Sequence, residues 1–130
     1  MAATGTREIL SGSSGLTGTP ILITASGTNG SAVTGTLLHT AANSPGYRDE
    51  VYIEVHNYHT ASGTVTIQVG GTSPNLNDIA YGISPRDGLH VLYHGTVASG
   101  TEIRAYGNHA LTTVSGLRAV GWVNRLNNNG

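Results

Sequence analysis

Between positions 50 and 58, Val51, Ile53 and Val55 alternate with Tyr52, Glu54 and His56. This period of two predicts a strand with one aliphatic face and one polar, aromatic face. The same alternation returns over 64–69, with Val65, Ile67 and Val69 set against Thr64, Thr66 and Gln68. The stretch from His59 to Gly63 between them is turn-sized and ends in glycine, which predicts an antiparallel hairpin. Further strands are predicted over 20–25, 34–39, 78–83, 88–94, 101–106 and 117–125. No window longer than about ten residues keeps a helical period.

Glycine followed by threonine recurs at 5, 18, 27, 35, 63, 71, 95 and 100, mostly at the margins of these apolar stretches. Glycine suits tight turns and threonine suits a strand start, so the dipeptides read as turns feeding strands. The expectation is an all-β, single-domain antiparallel β-sandwich or jelly-roll-like module over 19–126. Residues 1–18, rich in Gly, Ser and Thr, are expected to form a flexible arm that orders only on contact, and 127–130 a solvated tail.

Length agrees with one domain, at 130 residues. Six Arg, no Lys and seven acidic residues leave a formal net charge of −1, which disfavours gripping nucleic-acid backbones. There is no cysteine, so disulfides and thiolate chemistry are excluded. Arg7 and Glu8 interrupt the segment where an export signal needs apolar residues, and no apolar run approaches the ~18 residues of a membrane span. With no Phe and one Trp, the core must be built from Val, Ile, Leu and Ala. Such a core is thin, and self-association is a common remedy.

The chemistry of catalysis is hard to place. Six histidines raise the question of metal, yet His56 and His59 fall on opposite faces or about 10 Å apart, while His90 and His94 share a face about 13 Å apart. No G-x-S-x-G elbow and no G-x-G phosphate loop occurs, so neither a hydrolase nor a nucleotide cofactor is indicated. Asp49 and Glu50 are adjacent and read as a solvated strand start. Tyr52 and Tyr58 share the polar face of 50–58 with Glu54 and His56. Arg104 and Tyr106 oppose Ile103 and Ala105, and Trp122 lies between Gly121 and Val123. These aromatic and guanidinium groups are interface candidates.

The series TPILITA (19–25), GTLLHTA (35–41), DEVYIEVHNY (49–58), TVTIQVGGTSP (64–74), ISPRDGLHVL (83–92), EIRAYG (102–107) and VGWVNRL (120–126) resembles small virion structural proteins of tailed phages, in the class of capsid decoration or cement proteins. The resemblance implies a non-enzymatic β module that forms a homo-oligomer, plausibly a trimer, on the outer face of the major capsid protein lattice. It needs no cofactor, metal, nucleic acid or membrane, and assembles in the host cytoplasm. Arg7, Glu8 and Leu10 in the arm, with Arg86 and Asp87 before 88–94, are the expected capsid contacts. The alternative is a head- or tail-fibre module presenting Tyr52, Tyr58 and Trp122 to host glycans.

Overall fold

Nine strands and a single helical turn appear in the computed structural model, which describes residues 4–12, 19–27, 33–42, 44–58, 63–84, 88–108 and 116–127. In chain order they are β1 (Thr4–Ile9), β2 (Ile21–Ile23), β3 (Thr36–Thr40), β4 (Tyr47–Asn57), β5 (Gly63–Val69), α1 (Pro74–Asn77), β6 (Asp78–Ile83), β7 (Leu89–Ala98), β8 (Glu102–Gly107) and β9 (Leu117–Asn127). Each predicted strand is present, with β4, β7 and β9 running longer than the alternation alone indicates.

The first sheet has the order β1-β9-β4-β7, with β2 also on β9; the second has the order β3-β8-β5-β6. All ladders are antiparallel. The pairs β2 with β9, β3 with β8, β4 with β7 and β5 with β6 nest inside one another, as if one long hairpin with its tip at 70–77 had been rolled into two layers. That is the connectivity of a jelly roll. β1 is added to it, occupying the edge of β9 at 122–127 while β2 takes 117–119 of the same edge.

Two expectations are corrected. Strands 50–58 and 64–69 do not form a hairpin: β4 pairs with β7 and β9, whereas β5 pairs with β6 and β8 in the other layer. The arm is also partly strand, because β1 is registered from Thr4 opposite Asn127 to Ile9 opposite Trp122. The expected solvated tail is corrected at its first residue, because Asn127 closes β9 between Thr4 and Tyr47, and 128–130 lie outside the described residues.

The core lies between the sheets. Ile21, Ile23, Val51, Ile53, Val55, Leu117, Ala119 and Val123 face Leu38, Val65, Ile67, Ile103 and Ala105, all buried. Each Val, Leu or Ile side chain among them contributes about 1.5–3 kcal/mol when fully removed from water. No aromatic ring belongs to this cluster, and only Tyr93 packs on its margin. The rings are therefore elsewhere, chiefly on the sheet surfaces.

Two β-bulges change which side chains reach the core. In β3 the register steps from Leu37 opposite Arg104 to His39 opposite Ile103, turning both Leu38 and His39 inward. In β7 it steps from Tyr93 opposite Ile53 to Val91 opposite Glu54, with Leu92 the extra, buried residue. His90 consequently pairs with inward-facing Val55 and His94 with outward-facing Tyr52, so the two histidines occupy opposite faces, not one.

Candidate interaction surface

The outer face of the first sheet collects the aromatic residues. Tyr52 on β4 stands directly opposite Trp122 on β9 and His94 on β7. Its ring stacks on Trp122 with centroids 5.3 Å apart and planes 11° from parallel, and meets His94 edge-on at 5.3 Å and 71°. From β1, the Arg7 guanidinium carbon sits 4.4 Å from the Trp122 ring centroid. One row thus crosses four strands: Arg7, Trp122, Tyr52, His94. His94 Nε2 is also 3.3 Å from Glu50 Oε2.

Toward the end of β4 a second group forms. His56 and Tyr58 meet edge-on at 6.0 Å, and the Arg118 guanidinium lies 4.5 Å from the Tyr58 ring centroid. Leu89 and Val91 pair with His56 and Glu54 along the open edge of β7, and both are about half exposed, at 52% and 45%. The result is a broad surface of rings and aliphatic groups bordered by Arg7, Arg118, Glu50 and Glu54.

The opposite outer face is closed by the chain itself. Thr66 and Gln68 point away from the core by parity, yet both are buried. Gln68 receives the Gly35 N–H at 2.9 Å and donates to the Val33 carbonyl at 2.6 Å, pinning the segment before β3 over β5. Tyr106 is covered too, at 1% exposure, and its hydroxyl donates to Asp78 Oδ2 at 3.1 Å; burial pushes this phenol's pKa up. Arg104 donates to the Gly35 carbonyl at 3.1 Å and faces the Glu102 carboxylate. Tyr106 is therefore not a surface residue, and Arg104 is half-buried in contacts within its own chain.

Of the expected arm contacts, Arg7 and Glu8 are exposed, but Leu10 is buried in the core and unavailable to a partner. Arg86 and Asp87 lie outside the described residues. So does His59. Among the described residues no group of three or more metal-ligating side chains exists.

A polar cluster between the sheets escaped the sequence reading. Asp49 is fully buried, not a solvated strand start. Arg125 Nε and Nη2 donate to its two carboxylate oxygens at 3.0 Å each, and His39 Nε2 lies 2.7 Å from Oδ2. The Ser11 N–H donates to His39 Nδ1 at 3.1 Å, so Nδ1 is unprotonated and Nε2 carries the hydrogen given to Asp49. Burial lowers the His39 pKa despite the adjacent carboxylate. Burial alone would raise that of Asp49, but hydrogen bonds from Arg125 and His39 outweigh it and keep the carboxyl ionised to unusually low pH. The histidine and aspartate have the pairing of a catalytic base and its orienting acid. Here Ser11 offers its backbone N–H, while its Oγ accepts the Thr40 N–H at 2.7 Å, so no hydroxyl nucleophile is being activated.

A cavity of about 370 Å³ opens among Gly70, Gly71, Thr72, Ser99, Gly100, Thr101, Glu102 and Arg104. Its lining offers hydroxyls, backbone groups and the Glu102 carboxylate paired to Arg104 at 3.4 Å. Among the described residues no second carboxylate lines it. No family model, curated protein or solved structure matches this chain.

Proposed function

We propose that the protein is a non-enzymatic virion component of a tailed phage, a decoration or cement protein that binds the outer capsid surface and strengthens the shell by non-covalent contact. The observation that carries this reading is the open outer face of the first sheet, where Arg7, Trp122, Tyr52 and His94 form a continuous row beside exposed Leu89, Val91 and Tyr58. Trp, Tyr and Arg are the residue types that dominate protein-interface energetics. Four strand widths of ~4.8 Å and eleven residues of β4 at ~3.3 Å describe a face of roughly 700 Å². A standard interface takes about 800 Å² from each partner, so this surface is of the right size.

Jelly rolls recur in viral capsid and lectin domains, but the fold does not choose between them. The rings favour the protein partner. Trp122 carries Tyr52 on the β4 side and Arg7 on the β1 side, so a sugar could stack on it only by displacing one of them. In this reading the partner is the major capsid protein. Self-association as a homotrimer draws on the flank where β6 and β7 end their sheets, which exposes Ile79 and Tyr81 within the uncharged, proline-free stretch 79–83.

The test is co-sedimentation of the purified protein with heads of the parent phage stripped of decoration, alongside light scattering of the free protein. Expected are a trimer and saturable binding that Trp122→Ala abolishes. A monomer that ignores the heads overturns the proposal, and binding on a glycan array that Tyr58→Ala removes would transfer it to a host-receptor module.

A further inference from the structure

β1 is weakly embedded. Gly5, Thr6, Arg7 and Glu8 are all exposed and Ile9 is half-buried, so beyond its ladder to β9, the contact of Arg7 with Trp122 and the attraction of Glu8 for Arg125, the strand depends on the three residues that follow it. Those residues are firmly held. Leu10 enters the core, the Ser11 N–H binds His39 Nδ1, the Ser11 hydroxyl accepts from Thr40, and the Gly12 N–H donates to the Leu38 carbonyl at 3.0 Å. A Cβ at Gly12 would strike the Leu37 and Leu38 carbonyls, so the segment lies tight against β3.

We propose that His39 with Asp49 and Arg125 forms an acid-sensitive latch that holds the N-terminal strand on the sheet and lets it go when His39 is protonated. The reason is the geometry at Nδ1. That atom can accept the Ser11 N–H only while it bears no hydrogen, and a protonated imidazole would set one N–H against another 3.1 Å away. Among the described residues, the Ser11 N–H is the one hydrogen-bonding group that meets Nδ1, so the new proton finds no acceptor there. Asp49 Oδ2 already receives His39 Nε2, Arg125 Nη2 and, at 3.3 Å, the Ala42 N–H.

The charges facing the imidazole are Asp49 from β4 and Arg125 from β9; Ile103 opposite it on β8 is apolar. The hydrogen bonds to Asp49, with Glu8 on β1 adding to the attraction, hold Arg125 in its charged form. A positive His39 would therefore sit buried with one carboxylate shared between two cations. Leaving the cluster is the easier course for Ser11 than for His39, which is fully enclosed. Release bares the edge of β9 from Trp122 to Asn127 and takes Arg7 off the indole.

Amide exchange followed by NMR on the whole protein between pH 7.5 and 4.5, corrected for intrinsic rates, tests this together with the imidazole shifts of His39. Protection of Ser11 and of Thr4 to Ile9 is expected to fall by up to tenfold per pH unit as His39 takes up its proton, while β4 and β5 keep theirs. His39→Gln should flatten that dependence. If that variant does not fold, Ser11→Pro, set against Ser11→Ala to account for the lost hydroxyl contact with Thr40, removes the N–H without touching the buried pair and should leave β1 poorly protected at every pH, whereas Ser11→Ala keeps the pH dependence. The latch is overturned if β1 stays equally protected with His39 protonated, if His39 remains neutral down to pH 4.5, or if β1 and the core lose protection together.

Discussion

Asp49 on β4 accepts from Nε and Nη2 of the Arg125 guanidinium on β9, 3.0 Å to each oxygen, across the antiparallel register that places the two residues opposite one another. The carboxylate is fully buried while the arginine side chain is 26% exposed. The acid therefore depends on its partners far more than the base does. Arg125→Ala leaves a buried charge facing a neutral histidine and is expected to cost about 3–5 kcal/mol, with Arg125→Lys recovering only part because an ammonium cannot span both oxygens. Urea unfolding of the two variants measures the difference.

Stability should fall with acid in two stages. The clasped His39 takes a proton less readily than a free imidazole, so the unfolded chain binds that proton first and stability declines as pH drops below about 6.5. Asp49 has the opposite charge type and adds a second loss: its folded carboxyl stays ionised below the ordinary 3.8, so the unfolded chain is again protonated first and stability falls further beneath that value. Each stage has a slope of at most about 1.4 kcal/mol per pH unit. Melting temperatures from pH 8 to 3 should show a plateau above 7 and a decline that steepens near 4. His39→Gln removes the first stage only.

Gly121 lies in β9 opposite Ile53, where an added Cβ would run into the Tyr52 carbonyl. Gly121→Ala must push β9 from β4 at the centre of the sheet, and the obstacle is backbone that cannot swing aside. A loss of about 1–3 kcal/mol is expected in calorimetry, with the stacked rings of Tyr52 and Trp122 displaced in a crystal structure of the variant.

Trp122→Ala and Tyr52→Ala act on the surface. Each should lose about 0.5–1.5 kcal/mol of ring-to-ring interaction together with the area that the pair shields, leaving a folded protein with an unchanged β-sheet circular dichroism spectrum. Capsid binding should disappear in both. Ile67→Ala, in the core, should do the reverse in kind: about 2–5 kcal/mol of stability lost, with the binding constant of the remaining folded protein little altered.

The aliphatic alternation of Val51, Ile53 and Val55, and of Val65, Ile67 and Val69, was enough to read strands and a two-layer all-β fold from the chain. Pairing was not readable, because the short link between β4 and β5 serves a hairpin or a step between layers equally well, and alternation looks the same in both. Bulges hid more. The extra residues Leu38 and Leu92 reverse parity within β3 and β7, concealing that His39 faces Asp49 and that His90 and His94 part company. Tyr106 and Gln68 were assigned outward by correct parity, but both are buried, Gln68 beneath the chain at 33–35, and no period within one strand reports what lies over it. Tyr52 and Trp122 were legible as surface aromatics; their contact required knowing that β4 and β9 are neighbours.

The nested ladders also imply an order of events. If β2 had to find β9 in an open chain, a loop of about 90 residues would close at once, whereas after β5 has met β6 across the turn at 70–77 each outer pair joins ends already brought near. Assembly then advances from the tip outward like a zipper, with the N-terminal strand last. Substitutions that loosen the 70–77 turn should slow refolding in stopped-flow measurements, while those in β1 should leave that rate alone and hasten only the first step of coming apart.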